Sequence, residues 1–315
     1  MPKGNNYQPF KPMRIQARKG SVAEARYYQK SALPGGAWPM PKAIAPGVNP
    51  APLDDLIFHG GKTVPQMEFQ NIYLGGNDSW RASDTDFIDR SIRMAMRDRR
   101  LNNVMAQYFP GSTLACEARD SFILDEAKPA SVDEPDVKDI VTRCFDASLI
   151  GASDLETTIF NLILPPGTIL RLDDSSSTRG LGGYHGSVHI NRAGKRITLY
   201  YSANVFSEIN AGGNENGIVA FDKPWKNVVG TLYHEINEFR TDPDVGDAIA
   251  TNSNHPLGWT SRRGHEIGDQ PIAANPLELV FKEVRATNGG RRLPVQFMFS
   301  NAVHGAEGPI PRPHI

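Results

Sequence analysis

A chain of 315 residues with a net charge of −1 can bury a large core as one domain or two. Its charge balance gives no particular hold on nucleic acid or an anionic membrane surface, and no apolar run approaches the ~20 residues needed to span a bilayer. Cys116 and Cys144, the only cysteines, permit at most one disulfide, and two free buried thiols is the preferred reading.

Residues 1–52 are rich in Pro, Gly and basic side chains, with helical spacing only over 21–32. Such a segment predicts an arm, disordered or laid across the body, and it holds no apolar signal-peptide core. A single α+β domain is expected over 53–315. Residues 69–74 read as a buried strand ending at Gly75-Gly76, and Ser83 as the cap of a helix running to about Tyr108. A second helix follows Pro135, with Val137, Ile140, Val141 and Cys144 inward. Residues 157–164 read as another strand and 173–183 as a glycine-rich loop. Residues 188–205 alternate about an Arg192-Ala193-Gly194-Lys195 turn and predict a hairpin. One more helix is expected over 276–287, stopped by Asn288-Gly289-Gly290, and then a strand over 293–299. The picture is a small mixed or antiparallel sheet packed on several helices.

The most informative stretch is 221–243. Trp225, Val228, Val229, Leu232, Ile236 and Phe239 recur at helical spacing, with Asp222 as the expected N-cap and Pro243 disfavouring helix at Asp242. His234 and Glu238 point away from that stripe, one turn apart, with Glu235 at its edge. In His-Glu-x-x-His hydrolases the residues at i and i+4 hold zinc, while the Glu at i+1 activates the attacking water. Here Glu238 replaces the second histidine, and Asp242 stands where a carboxylate could orient the His234 ring. A third ligand is expected from Gly264-His265-Glu266-Ile267-Gly268-Asp269, where Glu266 and Asp269 could share one face of a helical turn. His185 is an alternative, with a packing role as the more common reading. The same caution covers His59. Two carboxylates with one imidazole would largely neutralise a zinc ion and blunt its Lewis acidity; His185 in place of one carboxylate would restore it. Oxygen-rich ligation also admits manganese or calcium.

Several motifs occur in one order: His59-Gly60-Gly61, Tyr184-His185-Gly186, the run from His234 to Pro243, Gly258-Trp259, Glu266-Ile267-Gly268-Asp269 and Phe299-Ser300-Asn301. Over most of residues 53–303 that succession resembles the phosphate-induced, EXORDIUM-like proteins of plants and their microbial relatives. The chain departs from the family pattern at Leu74-Gly75-Gly76, where a tryptophan-containing end to the strand is usual. It departs again at Gln270, where a cysteine is usual. The resemblance implies secretion and a growth-response role, without a settled chemistry. Locally, the 234–242 helix is similar to the active-site helix of thermolysin-like metallopeptidases. That likeness implies His234, Glu238 and Glu266 as ligands, Glu235 as general base, Asp242 and Asp269 as supporting carboxylates, and Tyr184 behind the ligands. Three readings stay open: a zinc-dependent hydrolase of peptide or cell-wall-associated substrates, a non-catalytic binding protein with a structural metal or carboxylate network, and a metal-free pair of His234 and Glu238.

Overall fold

The computed structural model describes residues 44–246 and 257–314. The helical patch expected over 21–32 and most of the expected arm lie outside the described residues. Residues 44–52 do not: Ile44 bridges to Glu307, and Ala45 and Val48 are buried in the core.

The protein is α+β. Strands β1 (Gln66–Tyr73), β2 (Ala115–Ala118), β3 (Thr158–Ile163), β4 (Gly183–Arg192) and β5 (Lys195–Asn204) form the body of a six-stranded sheet in the order β2-β1-β3-β5-β4, with Phe122–Ile123 also pairing β1. All neighbouring pairs are parallel except the β4–β5 hairpin. Its turn places Ala193 and Gly194 at φ 50° and 75°, the left-handed pair whose twist suits a two-residue loop. Every residue of β3 is buried, as expected of a central strand covered on both faces.

Helices supply the cover. α1 (Ala82–Arg97) and the short α2 (Arg99–Met105) precede α3 (Glu134–Asp146), and α4 (Pro224–Thr241) follows the hairpin. α3 starts with a reciprocal capping box between Asp133 and Asp136 and packs Val137, Val141 and Cys144 against Phe160, Leu162 and Tyr201. On the opposite face Ile88 and Ile92 of α1 and Val228, Leu232 and Ile236 of α4 meet Phe69, Ile159 and Tyr200. Cys116 and Cys144 belong to these two separate cores and are free. Burial pushes both thiols up to about 11.

Several local expectations are corrected. The helix expected over 83–108 breaks at Asp98, whose Oδ1 accepts from the backbone N–H groups of Arg100 and Leu101 at 2.9 and 3.2 Å and so caps α2. A short carboxylate that bonds the backbone locally competes with helix continuation. Neither Ser83 nor Asp222 is an N-cap: Arg81 and Lys223 occupy those positions without side-chain caps, and Asp222 instead pairs with Lys226 at 2.7 Å. Beyond Pro276 the helix lasts only from Leu277 to Val280, after which β6 (Phe281–Arg285) pairs antiparallel with β7 (Arg292–Gln296). Gly289 and Gly290, at φ 87° and 86°, belong to the hairpin turn rather than to a helix end. The expected strand over 293–299 accordingly divides into β7 and Met298–Ser300.

One polar row crosses the sheet on the α4 side. Asn71, Asn161, Ser202 and His185 are successive cross-strand partners on β1, β3, β5 and β4. Asn71 Nδ2 donates to Asp89 Oδ1 at 2.8 Å, Asn161 Nδ2 to Asn71 Oδ1 at 2.9 Å, and Ser202 Oγ to Asn161 Oδ1 at 2.7 Å. Strand alternation therefore delivers His185 to the same face as α4. Replacing Asn161 by Leu orphans buried groups on both neighbours. We expect urea denaturation to show a loss of about 2–4 kcal/mol; a change below about 0.5 kcal/mol would contradict a structural role for the row.

Candidate metal centre

The sequence predicts a two-faced α4, but the fold buries both faces. From Asn227 to Thr241 every residue is buried. The apolar stripe lies in the core, and the acidic face meets β4 and the 264–269 loop. Gly183 makes the first approach: a Cβ there would stand 2.9 Å from Thr231 Cγ2 and 3.0 Å from Glu235 Oε1. Gly268 makes the second, since a Cβ there would sit 2.5 Å from His234 Nδ1. Its φ of −89° is open to any residue, so space against the imidazole, not backbone conformation, is what glycine supplies.

His185, His234, Glu235, Glu238, Asp242, Glu266 and Asp269 converge in this interior. The His185 side chain is 4% exposed and the others are buried. His234 Nε2 lies 3.0 Å from Glu238 Oε2 and 3.6 Å from Asp269 Oδ1. His185 Nδ1 lies 3.2 Å from Glu235 Oε2 and 3.7 Å from Glu238 Oε2, while its Nε2 is 3.6 Å from Glu266 Oε1. Two groups of three ligand atoms result, His185–Glu238–Glu266 and His234–Glu238–Asp269, each with all atoms within 4.8 Å of one another. Ligands about 2.0–2.1 Å from a tetrahedral ion stand roughly 3.4 Å apart, so the spacings match a metal shell.

The ligand rings are aimed from behind. Gln296 Nε2 donates to the Gly268 carbonyl at 2.5 Å, which leaves Gln296 Oε1 to accept from His234 Nδ1 at 2.8 Å. That hydrogen bond turns Nε2 toward the carboxylates. His185 Nε2 donates to the Asp242 backbone carbonyl at 3.0 Å, which turns Nδ1 toward Glu235 and Glu238. Glu238 Oε1 accepts from the backbone N–H groups of Gly268 and Asp269, both at 3.1 Å. Against these fixed contacts stand buried atoms with no hydrogen-bond partner: His234 Nε2, Glu235 Oε1, Glu238 Oε2, Asp242 Oδ2, both oxygens of Glu266 and Asp269 Oδ2. Buried polar groups are normally satisfied. A convergent cluster of carboxylate oxygens and an imidazole nitrogen that make no hydrogen bond, and meet other groups only as ion pairs at 3.0–3.7 Å, fits a bound cation.

The electrostatics agree. Burial, then repulsion from neighbouring carboxylates, pushes Glu266 and Asp269 well above the ordinary carboxylate range. Burial moves Asp242 up to about 7 and raises Glu235 as well. Burial would depress both histidines, but the surrounding carboxylates outweigh it and raise His185 to about 9 and His234 to about 10. Without a cation, the cluster holds protons.

Of the residues singled out in the sequence, His185, His234, Glu235, Glu238, Glu266 and Asp269 are brought together. Asp242 also arrives, but its backbone carbonyl positions His185, not His234 as expected. Tyr184 does not join them. It alternates with His185 on β4 and so faces the α3 side, packed edge-on to Tyr201 with ring centroids 6.2 Å apart. His59 bonds Thr260 Oγ1 through Nε2 at 3.0 Å, a packing role. Gln296 carried no metal-site signal in the sequence, being a strand residue 62 positions from His234; Gly268 stood inside the Glu266–Asp269 motif, but nothing in the sequence gave it a role against the His234 ring. Compared with known proteins, the chain matches no family model, no curated protein and no solved structure.

Chelator-treated protein should lose thermal stability as pH rises. Asp242, Glu266 and Asp269 keep protons in the fold that the unfolded chain releases near pH 4, so stability drops as pH climbs above about 4, through about 7 for Asp242 and onward for the two raised further. The raised histidines act in the same sense: their contribution is complete below the unfolded value of about 6.5 and is lost through about 9 and 10. Melting curves from pH 5 to 9 with and without divalent metal test this, and a metal-free profile that rises with pH would refute it. Separately, Gly268→Ala should weaken metal affinity at least about tenfold by displacing the His234 ring, measured by isothermal titration calorimetry.

Proposed function

We propose that the chain is a divalent-metal-dependent hydrolase, acting on peptide or cell-wall-associated substrates, with zinc or manganese held by His234, Glu238 and one or more of His185, Glu266 and Asp269. The observation that carries this reading is the position of Glu235. It belongs to neither group of three ligand atoms, yet it is buried among them with Oε2 on His185 at 3.2 Å and Oε1 unpartnered. A site built only to hold an ion has no need of a further free carboxylate beside it.

A bound divalent ion would supply Lewis acidity toward a substrate carbonyl. The protein's own groups do the rest. Glu235 takes the proton of the attacking water at Oε1, and its Oε2 faces His185 Nδ1 at 3.2 Å. His185 is in turn held by the Asp242 carbonyl. A raised Glu235 is the stronger base once charged, which suits that role. The likeness of the 234–242 helix to thermolysin-like peptidases supports the same assignment, while the motif order shared with EXORDIUM-like proteins suggests secretion without fixing a chemistry. Among the described residues no helix is long and apolar enough to cross a membrane.

Burial favours a second reading. Ligand side chains at 0–4% exposure also suit a structural ion that ties α4, β4 and the 264–269 loop together. Glu235→Gln separates the two. In a hydrolase it keeps metal content and fold but lowers turnover of casein or a peptide library at least about 100-fold. A wild type with full metal content and no turnover on any such substrate, whose melting temperature collapses on chelation, would instead establish the structural role.

A further inference from the structure

The two ligand groups share one residue. His185 and Glu266 approach Glu238 from β4 and the 264–269 loop; His234 and Asp269 approach it from α4 itself and the start of α5 (Asp269–Ala274). We propose that the centre is dinuclear, with two divalent cations bridged by Glu238 Oε2, one held by His185 and Glu266 and the other by His234 and Asp269. This rests on the metal-binding reading above and goes beyond it in nuclearity, in the bridging role of Glu238, and in making Glu266 and Asp269 ligands of different ions.

Geometry supplies the first argument. Glu238 Oε1 is occupied by two backbone N–H groups, so Oε2 alone is left to coordinate. That oxygen is unpartnered and lies between the two histidines, 3.0 Å from His234 Nε2 and 3.7 Å from His185 Nδ1. The rings belong to different elements and are aimed by different supports, Gln296 for one and the Asp242 carbonyl for the other. A bridging carboxylate flanked by one imidazole on each side is what paired ions about 3.5–4 Å apart require.

Atom satisfaction supplies the second. One ion on the His234 side would take up His234 Nε2, Glu238 Oε2 and Asp269. It would leave both oxygens of Glu266 buried without a hydrogen bond, with only His185 Nε2 facing Oε1 at 3.6 Å. A second ion on the His185 side answers those orphans. Charge agrees: five buried carboxylates, Glu235, Glu238, Asp242, Glu266 and Asp269, surround the two imidazoles. One divalent ion offsets at most two of those carboxylates and two ions offset four; protons on the carboxyls and on a free imidazole must make up what the metal does not. Buried charges of one sign demand counter-charge.

The test uses the full chain, stripped with chelator and titrated with manganese(II). The proposal expects two ions per chain by mass spectrometry of the dialysed protein. It also expects an electron paramagnetic resonance spectrum that changes, on the second equivalent, to the broad multiline form of an exchange-coupled pair. Glu266→Gln and Asp269→Asn should each retain one ion, with a six-line spectrum of isolated manganese and unchanged far-ultraviolet circular dichroism. A plateau at one ion with isolated-ion spectra overturns the dinuclear centre and leaves the metal-binding reading standing. No bound manganese or zinc overturns both. Two ions that show no exchange coupling overturn the shared bridge, and two ions retained in Asp269→Asn overturn Asp269 as a ligand of the second ion. Wild-type stoichiometry and spectrum decide the matter even if a variant fails to fold.

Discussion

The structure turns on a helix that is buried on every side while carrying acids on one of them. An α-helix ordinarily resolves its amphipathy by leaving the polar face in water. α4 has no such face: Val228, Leu232 and Ile236 enter the sheet-side core, and His234, Glu235 and Glu238 enter an interior lined by more carboxylates. Taking carboxylates out of water costs several kcal/mol each in practice. They stay buried only if protons or cations accompany them. Whatever balances that charge also joins α4 to β4 and to the 264–269 loop, so the compensation is part of the tertiary structure rather than an addition to it.

The surrounding fold reads as support for this arrangement. The Asn71–Asn161–Ser202 row ties β1, β3 and β5 together by side-chain hydrogen bonds, and the β4–β5 pairing sets His185 opposite Ser202 at its end. A one-residue slip in β4 would send His185 to the α3 side and bring Tyr184 in its place. The β6–β7 hairpin contributes Gln296, and through it Gly268, to the aim of His234. Two glycines, Gly183 and Gly268, allow backbone to approach α4 more closely than any side chain would permit. Three separate elements thus hold two imidazoles in fixed and different orientations, the condition for ligands that bind without reorganisation.

Much of this was legible from residues alone. The apolar repeat from Trp225 to Phe239 specifies α4, because burial of a 3.6-residue stripe is a local and periodic requirement. His234, Glu235 and Glu238 follow from one-turn spacing on that helix. Alternation specifies the β4–β5 hairpin, Ala193-Gly194 its turn, and the apolar run of Ile159, Phe160, Leu162 and Ile163 a buried strand. These are short-range properties, set by neighbours within a few residues. Where local preferences compete, the sequence was a poorer guide: Asp98 could continue a helix or cap a new one, and 281–285 could be a helix or a strand. Each was resolved by partners far along the chain, Thr287 on Asp98 and 292–296 on 281–285.

The centre as a whole depended on such distant encounters. Spacing put His234 and Glu238 together, but His185 lies 50 positions before Glu235, and its side of the sheet follows from strand register. Asp242 was placed near the cluster by sequence, yet which imidazole it would hold, and by backbone rather than carboxylate, followed from where α4 ends against β4. Nothing in the chain announced Gln296, because a strand glutamine acquires meaning only from the ring it meets. Residue chemistry and periodicity are encoded locally; which unsatisfied atoms face one another is settled when the sheet, the helix and the loop close on a common interior.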